Sequence, residues 1–433
     1  SRLFNKIPYF DENVEISQYP DIPNNEFTRD EILSMLAKEM LDAAELLPAS
    51  QSEVGRIHKY IALAYAAKIK LYQAYQQDEI THAVTSINKE LLREVVSLCD
   101  QVTASNRYGL LDDFQGLDLV TNENGKESVF AIQYSMNDGT ESAGRINWSN
   151  LLNSPGGGSP YGGDGFFLPS QDLINAYQTD ANGLPDFNYQ SKSDYSWAVL
   201  NNGVYTLQNT TPNVDPRLDF VVGRPTITWK TYPDKPCEGW VRDKETYGYN
   251  CAKRFWVSPE SSDMFNGWPW GASQLNWQII RYADILLWKA EALIELNEGD
   301  GLETARDLIN QIRNRARNSA YVKDFNDHSK YAANYLVNPY PADVWNQDYA
   351  RQALRWETRL EKALEGERFF DLVRWGIVET TMNKYITAES DNRIYYANAH
   401  FTGGKDEYYP VPNNQYGFSG GKYVQNPGYA PFN

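Results

Sequence analysis

RQALRWETRLEKALEGERFFDLVRWG, residues 351–376, decides how the rest of the chain is read. Leu360, Ala363, Leu364 and the group Phe369, Phe370, Leu372 and Val373 recur at helical spacing, which predicts one long amphipathic helix over 347–376. Gly376 follows Arg374 and Trp375, where a helix C-terminus takes a left-handed residue. The charges are less ordinary. Glu357, Glu361 and Glu365 form an i,i+4 row of like sign, which repels on a free helix. Arg351, Arg355 and Arg359 form a second row about 200° round the axis, so the rows cannot neutralise each other. Each therefore needs partners on another helix or water. Arg281 and Lys289, or Arg313 and Arg315, are the expected partners of the acidic row. Asp284, Glu291 and Asp307 are those expected for the basic one. Within the stretch, Glu365–Arg368 and Asp371–Arg374 are the good local pairs. The pattern is that of a structural clamp, a helix sandwiched between others and tied to them by polar contacts.

Working outward, the 433 residues suffice for one large or two ordinary domains. A net charge of −17 opposes binding to a phosphate backbone, so nucleic acid is not an expected partner. No run of 18 apolar residues marks a membrane-spanning helix, and the opening SRLFNKIPYF does not read as a signal peptide. Cys99, in the helical pattern LLREVVSLCDQV, reads as a small core residue. Cys237 and Cys251 share one irregular aromatic segment and could pair in an oxidising compartment; the sequence leaves that open.

Helical pattern brackets an irregular middle. Thr28 with Glu31 forms a capping box at the head of a helix that ends before Pro48. A second helix, 56–75, is rich in small residues, and a third covers 87–104. Helices return from Asn276, first QIIRYADILLWKAEALIELN, then LETARDLINQIRNRAR. Pairs of this size resemble tetratricopeptide hairpins, although that consensus is not legible. Between them, Gly, Pro, Asn and Ser punctuate short stretches such as SPGGGSPYGGDG, and one short helix, PSQDLINAYQ, is readable. The expected architecture is a mainly α single domain over 1–433. Residues 1–135 and 276–433 form a TPR-like scaffold, and 136–275 a loop-rich lobe.

The stretch E-x-x-L-E-K-A-L-E-G-E-R-F-F-D-L-V-R-W-G resembles the C-terminal block of the SusD/RagB family. Further blocks along the chain are similar to the same family: FNKIPYF, GRIHKYIALAYAAKIKLY, NRYGLLDDF, NENGKESVFAIQY, PSQDLINAY, DPRLD, RYADILLWKAEAL, ARDLINQIRNRA, YYPVP and QNPGY. The resemblance implies a SusD-like helical fold. It also implies a surface-exposed lipoprotein of a Bacteroidetes outer membrane that captures oligosaccharide for a SusC-like TonB-dependent transporter. Relative to the family, the chain is expected to lack the N-terminal part, including the lipid anchor.

Enzymatic motifs are missing from the sequence. His58, His82, His328 and His400 are scattered, no Cys/His set has zinc spacing, and there is no phosphate-binding or nucleophile-elbow motif. NENGKE lacks the spacing of a calcium loop. No metal or cofactor is expected. Carboxylates abound, but no two stand out as a glycosidase pair. The aromatic content stands out instead: eight of the twelve tryptophans fall between 145 and 280. Roughly half are expected to pack loops onto helices. The rest would form a platform, since sugar rings stack their C–H faces on Trp and Tyr. Candidates are Trp148, Tyr161, Tyr195, Trp197, Trp229, Tyr232, Trp240, Trp268 and Trp270, with Arg145, Asn147, Asn201 and Asn202 as polar partners. Trp288, Trp356 and Trp375 lie in helical patterns and read as structural. Rival readings are a peptide-capturing relative and a glycoside hydrolase.

Overall fold

The computed structural model describes residues 2–141, 144–150, 152–153, 155–232, 234–237, 239–268 and 270–432. Three helices open the scaffold: α1 (Arg29–Leu46), α2 (Lys59–Ala74) and α3 (Lys89–Ala104). The capping box at Thr28 forms: its side chain accepts the Glu31 N–H, and Glu31 accepts the Thr28 N–H at 2.8 Å. Thr28→Ala is expected to cost about 1 kcal/mol, read from the denaturant midpoint. Ala62, Ala64, Ala66 and Ala67 are buried on α2, and their size lets α1 and α3 approach it from either side.

The lobe follows, with the short helices α4 (Gln171–Ala176), α5 (Arg217–Val221) and α6 (Lys244–Tyr247) among paired strands of two to five residues. The scaffold resumes with α7 (Tyr282–Leu296), α8 (Gly301–Asn318), α9 (Gln347–Glu361), α10 (Arg368–Arg374), α11 (Val378–Ser390) and α12 (Asn413–Phe418). Helix α7 is buried on almost every side, against α3, α8 and α9, and is the axis of the fold.

Two expectations are corrected. Residues 277–281 are not the start of α7 but a strand, antiparallel to 128–132, that joins the two halves of the scaffold. Nor is 347–376 one helix. It breaks over 362–367, with Leu364 and Gly366 at φ +66° and +79°. The break leaves Glu365 against Arg281 (2.7 Å) and Lys362 (2.6 Å) rather than near Arg368, which donates instead to the Arg355 carbonyl.

The acidic row does find arginines, and all of them are buried. Glu357 meets Arg217 at 2.6 Å and Arg313 at 3.0 Å. Glu361 is held by Arg281 (3.0 Å), Arg217 (3.2 Å) and Arg315. Arg254 reaches Glu365 at 3.4 Å, and Glu127 joins Arg281 (2.7 Å) to Arg315 (3.0 Å). Burial raises the Glu361 pKa, but Arg315, Arg281 and Arg217 overcome it and hold the group at about 2. Charges this deep persist only with such multiple, hydrogen-bonded pairing.

Other expected partners differ. Lys289 pairs with Asp100, Asp284 with Lys362, and Glu291 with Arg374. Asp307 pairs at the surface with Arg306. In the basic row, Arg351 reaches Glu295 (2.7 Å) and Arg359 reaches Asp172 (2.6 Å), while Arg355 lies over the Trp375 ring. The local pair Asp371–Arg374 forms at 3.0 Å. Cys99 is buried as expected, and Cys251 is a buried free thiol facing the Gly223 carbonyl, so it makes no disulfide with Cys237.

Candidate ligand-binding cleft

The lobe has its own aromatic core. Tyr161, Trp229, Trp240 and Trp256 are buried together with Val257 and Leu275. Their polar tips are served internally: the Trp229 indole N–H donates to the Tyr161 hydroxyl (3.0 Å), which donates to the Val257 carbonyl (2.6 Å). Tyr195 is buried in a neighbouring cluster with Tyr177 and Phe220, beneath Arg224. Four platform candidates, Tyr161, Tyr195, Trp229 and Trp240, therefore present no ring face to a ligand. Burying large rings in a loop-rich lobe is what holds it together. Tyr232 is half-buried against the same core.

The other candidates fall into two places. Trp148, Trp268 and Trp270 are exposed on one cluster of loops. Asn147, itself buried, ties its N–H to the Ser273 carbonyl (2.9 Å), and the Trp270 side chain lies against Gly162. Exposed Phe166 and Leu152 join this surface through a backbone hydrogen bond. Trp197 is exposed elsewhere, on the hairpin 197–201/204–208 opposite Gln208. The hairpin turns on Asn202–Gly203 at φ +50° and +77°, as a two-residue type I′ turn requires. Asn201 and Asn202 thus sit at the exposed hairpin tip, and the turn itself accounts for Asn202. Arg145 is exposed and paired with Asp138 at 3.2 Å.

The structure adds a cleft that the sequence reading missed. It has a volume of about 500 Å³ and lies between residues 164–170, 241–247 and the C-terminal end of α11. Its aromatic rings touch in series. Tyr247 meets Tyr395 with centroids 5.9 Å apart, Tyr395 meets Tyr396 at 4.5 Å, and Tyr396 meets Tyr385 at 5.5 Å. Phe166 (72% exposed), Tyr395 (49%) and Tyr247 (46%) offer open faces. Tyr249, two residues from Tyr247, contacts Tyr205 and so joins the wall to the Trp197 hairpin.

Caps and turns set this geometry. Ser170 caps α4 by accepting the Leu173 N–H (3.1 Å), and Asp243 caps α6 through the Thr246 N–H (3.1 Å). Gly248 ends α6 at φ +78°, and a Cβ there would strike the Arg393 guanidinium. Two larger cavities, of about 670 Å³ beside α1 and α2 and about 710 Å³ beside Lys230 and Lys253, have among the described residues no Phe, Tyr or Trp ring as exposed as Phe166, Tyr395 or Tyr247. The smaller cleft therefore suits a ring-shaped ligand better, since binding pockets combine apolar faces with a few placed polar groups.

Those polar groups are Asp164, Arg242, Glu389 and Arg393. Asp164 and Arg242 pair at 2.5 Å. Glu389 accepts the Asp172 N–H through Oε1 at 2.5 Å, while its buried Oε2 has no partner among the described residues. Burial lifts the Glu389 pKa to about 7, against the pull of the Asp172 N–H and Arg393 and with the push of the Asp172 and Asp194 charges.

A model of the SusD family matches residues 126–429. No curated protein matches the chain. Among solved structures it is similar to a SusD superfamily protein from Bacteroides vulgatus ATCC 8482, with 21% identity and a TM-score of 0.66 over 99% of this chain and 74% of that one. It is also similar to surface glycan-binding protein A from Bacteroides fluxus (19%, TM-score 0.62, 99% and 74%) and to a laminarin-binding SusD-like protein (20%, TM-score 0.56, 99% and 75%). Those likenesses carry the mainly helical, TPR-like fold. With that fold and a family model spanning well over half of its length, the chain belongs to the SusD family.

Proposed function

We propose that the protein is a non-catalytic, surface-exposed glycan-binding protein. The observation that carries this is the tyrosine-walled cleft with placed charged groups, next to the exposed Trp148, Trp268 and Trp270. Flat rings stack on the apolar faces of a sugar, while carboxylate and guanidinium groups bond its hydroxyls. The cleft takes one or two sugar rings, and the tryptophan surface receives the chain that runs on from it. Two structural relatives are glycan binders by name, which supports the same reading. On family grounds the protein works at the outer membrane and passes its ligand to a SusC-like TonB-dependent transporter. Residues 1–135 and 276–433 act as the scaffold and 136–275 as the lobe, with one extension: the cleft also needs residues 385–396.

The test is affinity electrophoresis and calorimetry against a panel of polysaccharides. Trp270→Ala and Trp197→Ala separate the two exposed surfaces. Trp270→Ala is expected to weaken binding of long glycans by about ten-fold and short ones less, whereas Trp197→Ala has the smaller effect. No binding to any glycan would sink the proposal. One observation favours a second reading: Glu389, raised in pKa, shares the cleft with Asp164, and an acid beside a carboxylate is what glycoside hydrolysis needs. New reducing ends, abolished by Glu389→Gln, would establish a hydrolase instead.

A further inference from the structure

We propose that the cleft takes the carboxylate of an acidic sugar, a uronic acid residue, held between Arg393 and Glu389. This rests on the glycan-binding reading and names the class of sugar. Arg393 lines the cleft and is only 9% exposed. Its Nη1 donates to the Asn392 carbonyl at 2.8 Å, and among the described residues no carboxylate lies within ion-pair distance of it. A guanidinium that deep is costly without an anion beside it.

Glu389, 1% exposed, lies one helical turn before Arg393, and the Arg393 N–H bonds its carbonyl at 2.7 Å. Its Oε1 is occupied by the Asp172 N–H and its Oε2 is unpartnered among the described residues. Held protonated below neutral pH, Glu389 offers Oε2–H as a donor.

The other charges facing Glu389 are already spoken for. Arg242 is neutralised by Asp164. The Asp172 carboxylate is taken by Arg359, Tyr189 and Gln190, and that of Asp194 by Asn175 and Asn392. With Glu389 protonated, the residues lining the cleft carry one cation in surplus, Arg393, and one unused donor; Asp194, outside that lining, keeps its charge under hydrogen bonds from two neutral amides. A neutral sugar satisfies the donor and leaves Arg393 without an anion. A sugar carboxylate satisfies both, with its ring against Tyr395 or Tyr247. In a chain of net charge −17, a cleft with a surplus positive charge is a local exception.

The experiment is calorimetry of the whole chain at pH 6 and pH 8 with polygalacturonate, alginate and glucuronoxylan, each beside its carboxyl-reduced form. Laminarin and a sulfated glycan serve as uncharged and sulfate-bearing controls. At least one uronate is expected to bind ten-fold or more tighter than its reduced form at pH 6. With Glu389 carrying its proton in the complex and titrating at about 7, that affinity falls about ten-fold between pH 6 and pH 8. Glu389→Gln keeps an N–H donor and cannot ionise, so its affinity is expected to stay level with pH. Arg393→Gln is expected to abolish the preference for the carboxylate. Melting temperatures of both variants separate misfolding from lost recognition, because a merely structural role would lower them without equalising the acid and reduced forms. Binding confined to neutral or sulfated glycans, or a uronate preference that survives Arg393→Gln, overturns the proposal and leaves the glycan reading standing. No binding to any glycan removes both.

Discussion

Glu361→Ala is expected to destabilise the protein by about 3–5 kcal/mol, the cost of leaving buried charge unpaired. Glu361 is fully buried, and its removal strips Arg281, Arg217 and Arg315 of a shared carboxylate at once. Domains are typically stable by only about 5–15 kcal/mol, so the soluble yield should fall sharply. Urea denaturation measures the loss, or the temperature of aggregation where yield is poor. Lys38→Ala serves as control: its pair with Asp42 is exposed, so its loss is expected to leave the denaturation midpoint nearly unchanged. A Glu361→Ala protein within 1 kcal/mol of the parent would refute the clamp. The same carboxylate predicts acid behaviour. Its folded pKa of about 2 lies below the ordinary value of about 4.3, so its stabilising contribution is complete above pH 4.3. That contribution is lost as pH falls through 2. Glu365 is also depressed, by Arg281, Lys362 and Arg254 acting against its burial, and adds in the same direction. Unfolding monitored by circular dichroism from pH 5 to pH 2 should show the decline, and Glu361→Gln should flatten it.

The double variant Tyr247→Ala, Tyr395→Ala is expected to lose about 2 kcal/mol or more of glycan affinity, roughly thirty-fold, with little change in melting temperature. Both rings are about half exposed, so few core contacts go with them. Trp229→Ala should behave oppositely. It empties a fully buried site inside the lobe and should cost about 3–5 kcal/mol of stability, with binding lost only as the fold is lost. Calorimetry and melting curves on the two proteins separate a platform from a core. Unchanged affinity in the tyrosine variant would mean that the glycan sits elsewhere, with the tryptophan loops as the remaining surface.

The helices were legible because their signals are local. Thr28 and Glu31 are three residues apart, and the face of α3 recurs within sixteen residues. The break after Glu361 was harder. The apolar period runs on into Phe369 and Leu372, and only E-G-E at 365–367 hints at an interruption, which partners on other elements then make worthwhile. Residues 277–281, WQIIR, are too few to tell strand from helix by periodicity.

The aromatic lobe shows the limit more sharply. Trp229 and Trp270 lie in equally polar, Pro-containing surroundings. What buries the first is Tyr161 and Val257, from segments up to 68 residues away. N-G at 202–203 is a readable hairpin signal, and the turn rather than a ligand accounts for Asn202. The cleft had no local motif, since its wall joins Tyr247 to a tyrosine-rich segment, 385–396, beyond the lobe. A cluster of tyrosines in polar sequence is the signal that could have pointed there.

The buried charges also set an order for folding. Arg217, Arg254, Arg281, Arg313 and Arg315 all precede Glu357, Glu361 and Glu365 in the chain, and Glu127 precedes them all. A chain made or threaded from its N-terminus presents these guanidinium groups with only part of their carboxylates in place: Glu127 for Arg281 and Arg315, Asp118 for Arg254, Asp215 for Arg217 and none yet for Arg313. Its centre cannot close until residue 365 has emerged. Until then the arginines hold an incomplete set of carboxylates, and the half-made protein lacks the contacts that close its centre. The long wait is a kinetic delay written into sequence order, and chains truncated before α9 should be caught by proteases rather than settle into a smaller native state.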